Sequence, residues 1–418
     1  MTLKREKTAA EKTLLKQFEE TFRSIKQHGN LNATREQVFK ILDNYGLPSR
    51  RIENWHYTDL PTLLKAIPPL QIKNVNSKPA LCEDSFVFSS HYGTVLPFQK
   101  NEKFKIKALK DDIETLPMEN HILSNDDAIG FINTALATDG WDIEIPENVH
   151  IEPVIELQSI QSGGQSHLLN KIKVCANARC TFALHQSNDN EENFLTALFD
   201  IDICENAHVT FIIIREDGVK SIDFNRLTAN LKEKSNFVLY LLNAGTHLAR
   251  QEINVTLEGE EADFQLRGIN LLSNQSHTDT TMVVRHISEN TTSTEIMRNV
   301  VMDKARGIFQ GMIRVAQAAQ KTDARMACNS LILSDDASFD AKPELEIFAD
   351  DVACGHGATV AEINQDHLYY LMARGIPEAQ ARGLLIKAFV SELIDEVEDQ
   401  SIQQALSGII DNWLEKHL

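Results

Sequence analysis

Asn177-Ala178-Arg179-Cys180-Thr181-Phe182 and Asn206-Ala207-His208-Val209-Thr210-Phe211 repeat one pattern, a short polar turn feeding an alternating strand, with their Asn-Ala pairs 29 residues apart. Lys234-Ser235-Asn236-Phe237 and Glu261-Ala262-Asp263-Phe264 continue it at steps of 28 and 27. Around these turns, no proline interrupts the runs rich in Val, Ile, Phe and Thr between Pro153 and Pro343. Backbone hydrogen-bond ladders can therefore run unbroken through the stretch. A period of 27 to 29 that holds several short strands and no helical spacer predicts a parallel β-helix, in which each coil stacks its apolar interior on the next. An antiparallel sandwich also fits the turn spacing but gives no reason for the longer period. Side-chain stacks such as Phe182 over Phe211 are the expected mark of the β-helix.

Outward from the repeats the periodicity becomes helical. Leu14, Phe18, Phe22 and Ile25 recur at three- and four-residue steps until Gly29 and Asn30. Thr34, with Gln37 three residues on, reads as the cap of a second helix carrying Val38, Ile41 and Leu42. Pro61, Pro68, Pro69 and Pro79 then mark an irregular connection. On the far side, Asn364 or Asp366 can cap a helix through Tyr369, Tyr370 and Leu371 that stops at Gly375, and Pro377 suits the first position of the next. There Ala381, Leu384, Leu385, Ala388 and Phe389 form one apolar face, and Ile402, Ala405, Leu406, Ile409, Ile410, Trp413 and Leu414 another, as in a helical hairpin. The expected division is a helical region at 1–75, a mixed connecting region at 76–153 with a helix around Ala128 to Leu136, the β-helix core at 154–363 and a helical domain at 364–418. Several units are expected in 418 residues, since single cores stop growing near ~250 to 300.

Composition excludes several classes of function. With 41 Lys and Arg against 60 Asp and Glu, the net charge of -19 repels phosphate backbones, and no basic face offsets it, so no nucleic-acid partner is expected. The most apolar run, Val209 to Ile214, is far short of a membrane span, and the acidic residues Glu6, Glu11, Glu19 and Glu20 among the first lysines argue against a leader. A cytoplasmic protein without membrane contact is expected. Six cysteines without a CxxC pair read as reduced thiols, and Cys175, Cys180 and Cys204, which recur within the repeats, suit the β-helix interior. No Walker A, HExxH, GxSxG or complete GxGxxG sequence occurs, so the chain alone should bind no nucleotide, and no catalytic residue is assigned.

One place carries ligand chemistry. An alternating strand from Glu344 leads into Cys354-Gly355-His356-Gly357, where a thiol and an imidazole two residues apart face the same side, and the glycines allow close approach of another surface or an ion. Thiolate and imidazole suit iron, zinc or an iron–sulfur cluster, but two ligands are too few for a four-coordinate site, so the rest must come from elsewhere. A buried Cys beside a surface His is the plainer alternative. Asp350 and Asp351 are surface carboxylates that could help attract a cation.

The stretch from Gly311 to Phe389 closely resembles the SufB/SufD family of iron–sulfur cluster assembly proteins. The resemblance rests on Ile313-Arg314-Val315-Ala316-Gln317, on Lys342-Pro343-Glu344-Leu345-Glu346-Ile347, on Cys354-Gly355-His356-Gly357-Ala358-Thr359-Val360 and on Arg374-Gly375-Ile376-Pro377. Trp55-His56-Tyr57-Thr58-Asp59-Leu60 looks like the family's N-terminal signature, and the Cys-x-His-Gly-Ala-Thr loop resembles the SufD branch. The resemblance implies a right-handed parallel β-helix between helical ends and a non-catalytic scaffold subunit that pairs with SufB through the β-helices. It implies that Cys354 and His356 contribute to a transient iron or cluster site shared with SufB. It also implies that the C-terminal domain binds the ATPase SufC through Arg374, Gly375, Ile376, Ala381, Leu384, Leu385 and Phe389. The competing readings are an intracellular β-helix enzyme acting on polysaccharide and an inert homodimeric interaction protein.

Overall fold

The computed structural model describes residues 6–24, 30–73, 75–111, 124, 126–188 and 191–418. The repeats form a parallel β-helix of about seven turns, with helices at both chain ends. Each coil contributes to two ladders. The first runs through β1 (Phe86–His91), β5 (Ile155–Gln161), β7 (Arg179–Asn188), the opening halves of β9 (His208–Leu231) and β10 (Asn236–Leu257), then β11 (Asp263–Leu272), β13 (Thr292–Val301), β15 (Asp323–Ile332) and β17 (Ala353–Ala361). The second runs through β4 (Trp141–Ile145), β6 (Gly164–Val174), β8 (Asn193–Ile203), the closing halves of β9 and β10, then β12 (His277–His286), β14 (Arg306–Val315) and β16 (Ser338–Ile347). Every neighbouring pair in both ladders is parallel. At the N-terminal end, β2 (Thr94–Val95) and β3 (Lys105–Ala108) turn back antiparallel on β1 and β4, so strands ahead of residue 154 take part in the stack.

The sequence period is the length of one coil. Asn148, Asn177, Asn206, Lys234, Glu261, Asn290 and Lys321 turn the chain with φ between 54° and 61°. Asn tolerates that left-handed region better than most side chains. Successive turns bond coil to coil, the Asn177 N–H donating to the Glu205 carbonyl at 2.9 Å and the Asn206 N–H to that of Glu233 at 2.9 Å. Register places Phe182 beside Phe211 with ring centroids 5.9 Å apart and nearly parallel, and Phe237 stacks on Phe264 at 5.6 Å in the same way.

Helices cover the outer faces of the ladders. On the second ladder, α1 (Ala9–Ser24), α2 (Asn30–Tyr45), the single turn α3 (Leu60–Leu63) and α4 (Ala128–Leu136) pack with Leu169, Phe194, Leu198, Phe224 and Leu248. On the first, α5 (Gln365–Ala373), α6 (Glu378–Ile394) and α7 (Gln400–His417) pack with Ile212, Ile214, Leu242, Ile269 and Val300. Three local expectations need correcting. Asn30 opens α2 rather than ending α1, so Thr34 lies one turn inside that helix and is buried instead of capping it; Ile25 and Gly29 lie outside the described residues. Pro377 occupies the cap position one residue before α6. The buried stripe of α6 is Ala381, Ile386, Val390, Leu393 and Ile394, because these meet the sheet, whereas Leu384 and Ala388 face outward.

Candidate functional site

Cys354 and His356 lie on β17, the last strand of the first ladder. Their register partners are Ala324 and Met326 on β15. Tracing each column down the ladder, Cys354 continues Cys180, Val209, Phe237, Phe264, Ser293 and Ala324, and His356 continues Phe182, Phe211, Leu239, Leu266, Glu295 and Met326. All of these lower members are buried. Both side chains thus extend inward-facing columns of the β-helix, as their two-residue spacing predicts.

At this coil the stack ends. Among the described residues, β17 pairs with β15 and β16 with β14, and no strand follows on the far side of either. Cys354 is half-buried against the core, and His356 is exposed. Burial pushes the Cys354 thiol up, against a lowering by the backbone hydrogen bond of Ala324. A Cβ added to Gly355 or Gly357 would meet nothing within 4 Å, so the room these glycines leave opens to the outside. The surroundings are apolar and exposed at Ile347, Phe348 and Val360, and Asp350 and Asp351 are exposed beside them. No group of three or more His, Cys, Asp or Glu side chains that could hold a metal gathers among the described residues. The chain therefore offers a thiol and an imidazole, two of the roughly four donors such a site requires.

The C-terminal candidates have a different geometry. Asn364 caps α5, its Oδ1 accepting from the Asp366 N–H at 2.9 Å and the His367 N–H at 3.1 Å. The helix ends at Gly375 with φ 88°, the Gly375 N–H donating to the Met372 carbonyl and the Ile376 N–H to that of Leu371. This double closure needs the left-handed conformation that glycine supplies. The Arg374 guanidinium lies 4.8 Å from the Tyr370 ring centroid and donates to its Oη at 2.7 Å. Ala381 is buried, Ile376, Leu385 and Phe389 are half-buried, and Leu384 is exposed together with Tyr369, Tyr370 and Met372.

Two features escaped the sequence reading. Glu295 stands directly beneath Met326 in the His356 column, and aligning the coils would have found it, because Leu266 and Met326 occupy the equivalent positions. Cys175 and Cys204, expected inside the β-helix, lie half-exposed in the turns at its edge; only Cys180 of the three is interior.

The model of the SUF-system FeS cluster assembly SufBD core domain matches residues 157–389, and that of the SufBD protein N-terminal region matches residues 8–89. The iron–sulfur cluster assembly protein SufD of Escherichia coli is 28% identical over 393 residues, covering 88% of this chain and 90% of that protein. SufD of Bacillus subtilis is 26% identical over 309 residues, covering 72% and 70%. A SufBD-family protein of Synechocystis is 26% identical over 436 residues, covering 97% and 96%. Because the core-domain match takes in more than half of the chain, the chain belongs to the SufBD family of iron–sulfur cluster assembly proteins.

Proposed function

We propose that this chain is the SufD-type scaffold subunit of a cluster assembly complex, without catalysis of its own, and that SufB seals the open end of its β-helix. The carrying observation is that end: β16 and β17 leave two parallel backbone edges unpaired over half-covered apolar side chains. Such edges recruit further strands. Cys354 and His356 would then meet ligands from the facing chain, and iron or a nascent cluster is the cargo held between them, not a resident cofactor. SufC supplies ATP hydrolysis and docks on the C-terminal helices, where Tyr369, Tyr370, Met372 and Leu384 form an exposed apolar surface. In the absence of SufB, a second copy of the chain takes the same edge. The complex is cytoplasmic, and the units at 1–75, 76–153, 154–363 and 364–418 divide these tasks.

Anaerobic co-purification with SufB and SufC tests the reading. His356→Ala and Cys354→Ser each lower the iron and sulfide that travel with the complex while leaving it assembled, since both residues sit at a surface edge. Leu384→Glu reduces SufC capture without releasing SufB. It is a cleaner variant than removal of residues 377–418, which would strip α6 and α7 from Ile269 and Val300. Unchanged iron and sulfide in both site variants leaves Cys354 and His356 structural, and a chain that stays apart from SufB ends the scaffold reading.

A further inference from the structure

Far from the open end, Cys175 and Cys204 occupy the same position in successive coils. Each directly follows a strand, and the final residues of those strands, Val174 of β6 and Ile203 of β8, are register partners. The ladder then runs one step further, the Cys175 N–H donating to the Ile145 carbonyl at 3.0 Å and the Cys204 N–H to that of Val174 at 2.9 Å. The turns that follow are also alike: the Ala178 N–H donates to the Cys175 carbonyl and the Ala207 N–H to the Cys204 carbonyl, both at 3.2 Å, with φ 58° at Asn177 and 56° at Asn206. Matching backbones set the two Cβ atoms one above the other at the spacing of neighbouring strands, ~4.8 Å. Both thiols are free and half-exposed. Burial pushes both thiols up and the Cys175 charge pushes Cys204 further, while the Lys173 ammonium opposes this at each.

That spacing selects the chemistry. A disulfide needs Cβ atoms ~3.8 Å apart, closer than strands held by intact ladder bonds approach. Two metal–thiolate bonds in line, each near the zinc–sulfur length of ~2.3 Å, span ~4.6 Å, close to the spacing of the stacked Cβ atoms. Thiolates are soft ligands and prefer ions such as Cu(I), which accepts two donors in line. Zinc wants four donors, and no third Cys, His, Asp or Glu joins this pair in a metal-holding group among the described residues.

We propose that Cys175 and Cys204 form a two-coordinate site for a soft monovalent cation, with Cu(I) as its ligand. Two thiols release two protons and the cation joins two thiolates, leaving one negative charge beside Lys173.

The test is anaerobic titration of the full chain carrying Cys354→Ser with Cu(I), in competition with bicinchoninate; the remaining cysteines, Cys82, Cys180 and Cys328, are buried. The chain should take one Cu(I) from the chelator, and X-ray absorption should report two sulfur neighbours. Adding either Cys175→Ser or Cys204→Ser should remove that uptake. Uptake surviving in either variant, a shell of three sulfurs, or a parent chain that takes no Cu(I) from bicinchoninate overturns the site.

Discussion

Glu295 is a carboxylic acid at a position built for a hydrocarbon. Its column neighbours are Leu266 and Met326, it is fully buried, and neither carboxyl oxygen has a hydrogen-bond partner. Burial pushes its pKa up to about 8, against an ordinary 4.5. Between those values the unfolded chain has lost the proton and the folded chain has kept it. The unfolded state then binds fewer protons, so stability falls as pH rises through that window. At pH 7 the loss is roughly 3 kcal/mol. Glu295→Leu should raise the denaturation midpoint near neutral pH and flatten its decline between pH 4.5 and 8; parallel stability–pH curves for variant and parent would refute this. Within its own strand the residue does not stand out, because one acid in an alternating strand looks like a solvent-facing one; only the alignment of neighbouring coils sets it in a hydrocarbon column. The shared face of Cys354 and His356, by contrast, was legible, since two-residue spacing on a strand fixes it whatever surrounds it.

Among the elements, the join between the N-terminal segment and the second ladder rests on charge as well as on apolar contact. Arg250, 1% exposed, donates to Glu252 at 3.0 Å and to Asp279 at 2.6 Å, and its guanidinium lies 3.9 Å from the Trp55 ring centroid. Asp279 also accepts from Thr58 Oγ1 at 2.5 Å, while Arg226 bridges Glu252 and Asp127, the cap of α4. The signature around Trp55 is therefore a clamp onto the sheet. Arg250→Met should cost about 3 to 5 kcal/mol, because it takes the ion-pair partner from the fully buried Asp279 and leaves Glu252 with Arg226 alone. Trp55→Ala, which removes the ring under the same guanidinium, should cost a similar amount through lost apolar contact; denaturant titrations of both variants measure the two losses. The coil period and its turns could be read from sequence because each repeats a local backbone demand. Which face of α6 is buried could not, since Leu384, Leu385 and Ile386 are equally apolar and only contact with β11 and β13 chooses among them. Burial of the outer faces was hidden too, as β5 is buried along its whole length although Glu156 and Gln158 alternate with Ile155 and Leu157 and so read as solvent-facing.

At the scale of the whole molecule, the β-helix has one finished end and one unfinished end. Antiparallel β2 and β3 close the first, but the final coil presents Cys354, Leu345 and Phe339 half-covered beside unpaired backbone. A fold left open in this way is stabilised by whatever covers it. On the proposed pairing, stability should rise with the concentration of SufB, by ~2.7 kcal/mol at a hundredfold excess over the dissociation constant. Thermal melts across a SufB titration check this, and a constant midpoint would mean that the edge needs no cover. The bare coil also makes abundance a question of dosage. Copies produced beyond the supply of the covering chain keep their strand edges exposed, and those surplus copies are the ones that aggregate or reach a protease first. On the proposed pairing, synthesis of the two chains in matched amounts is thus a demand of the last coil.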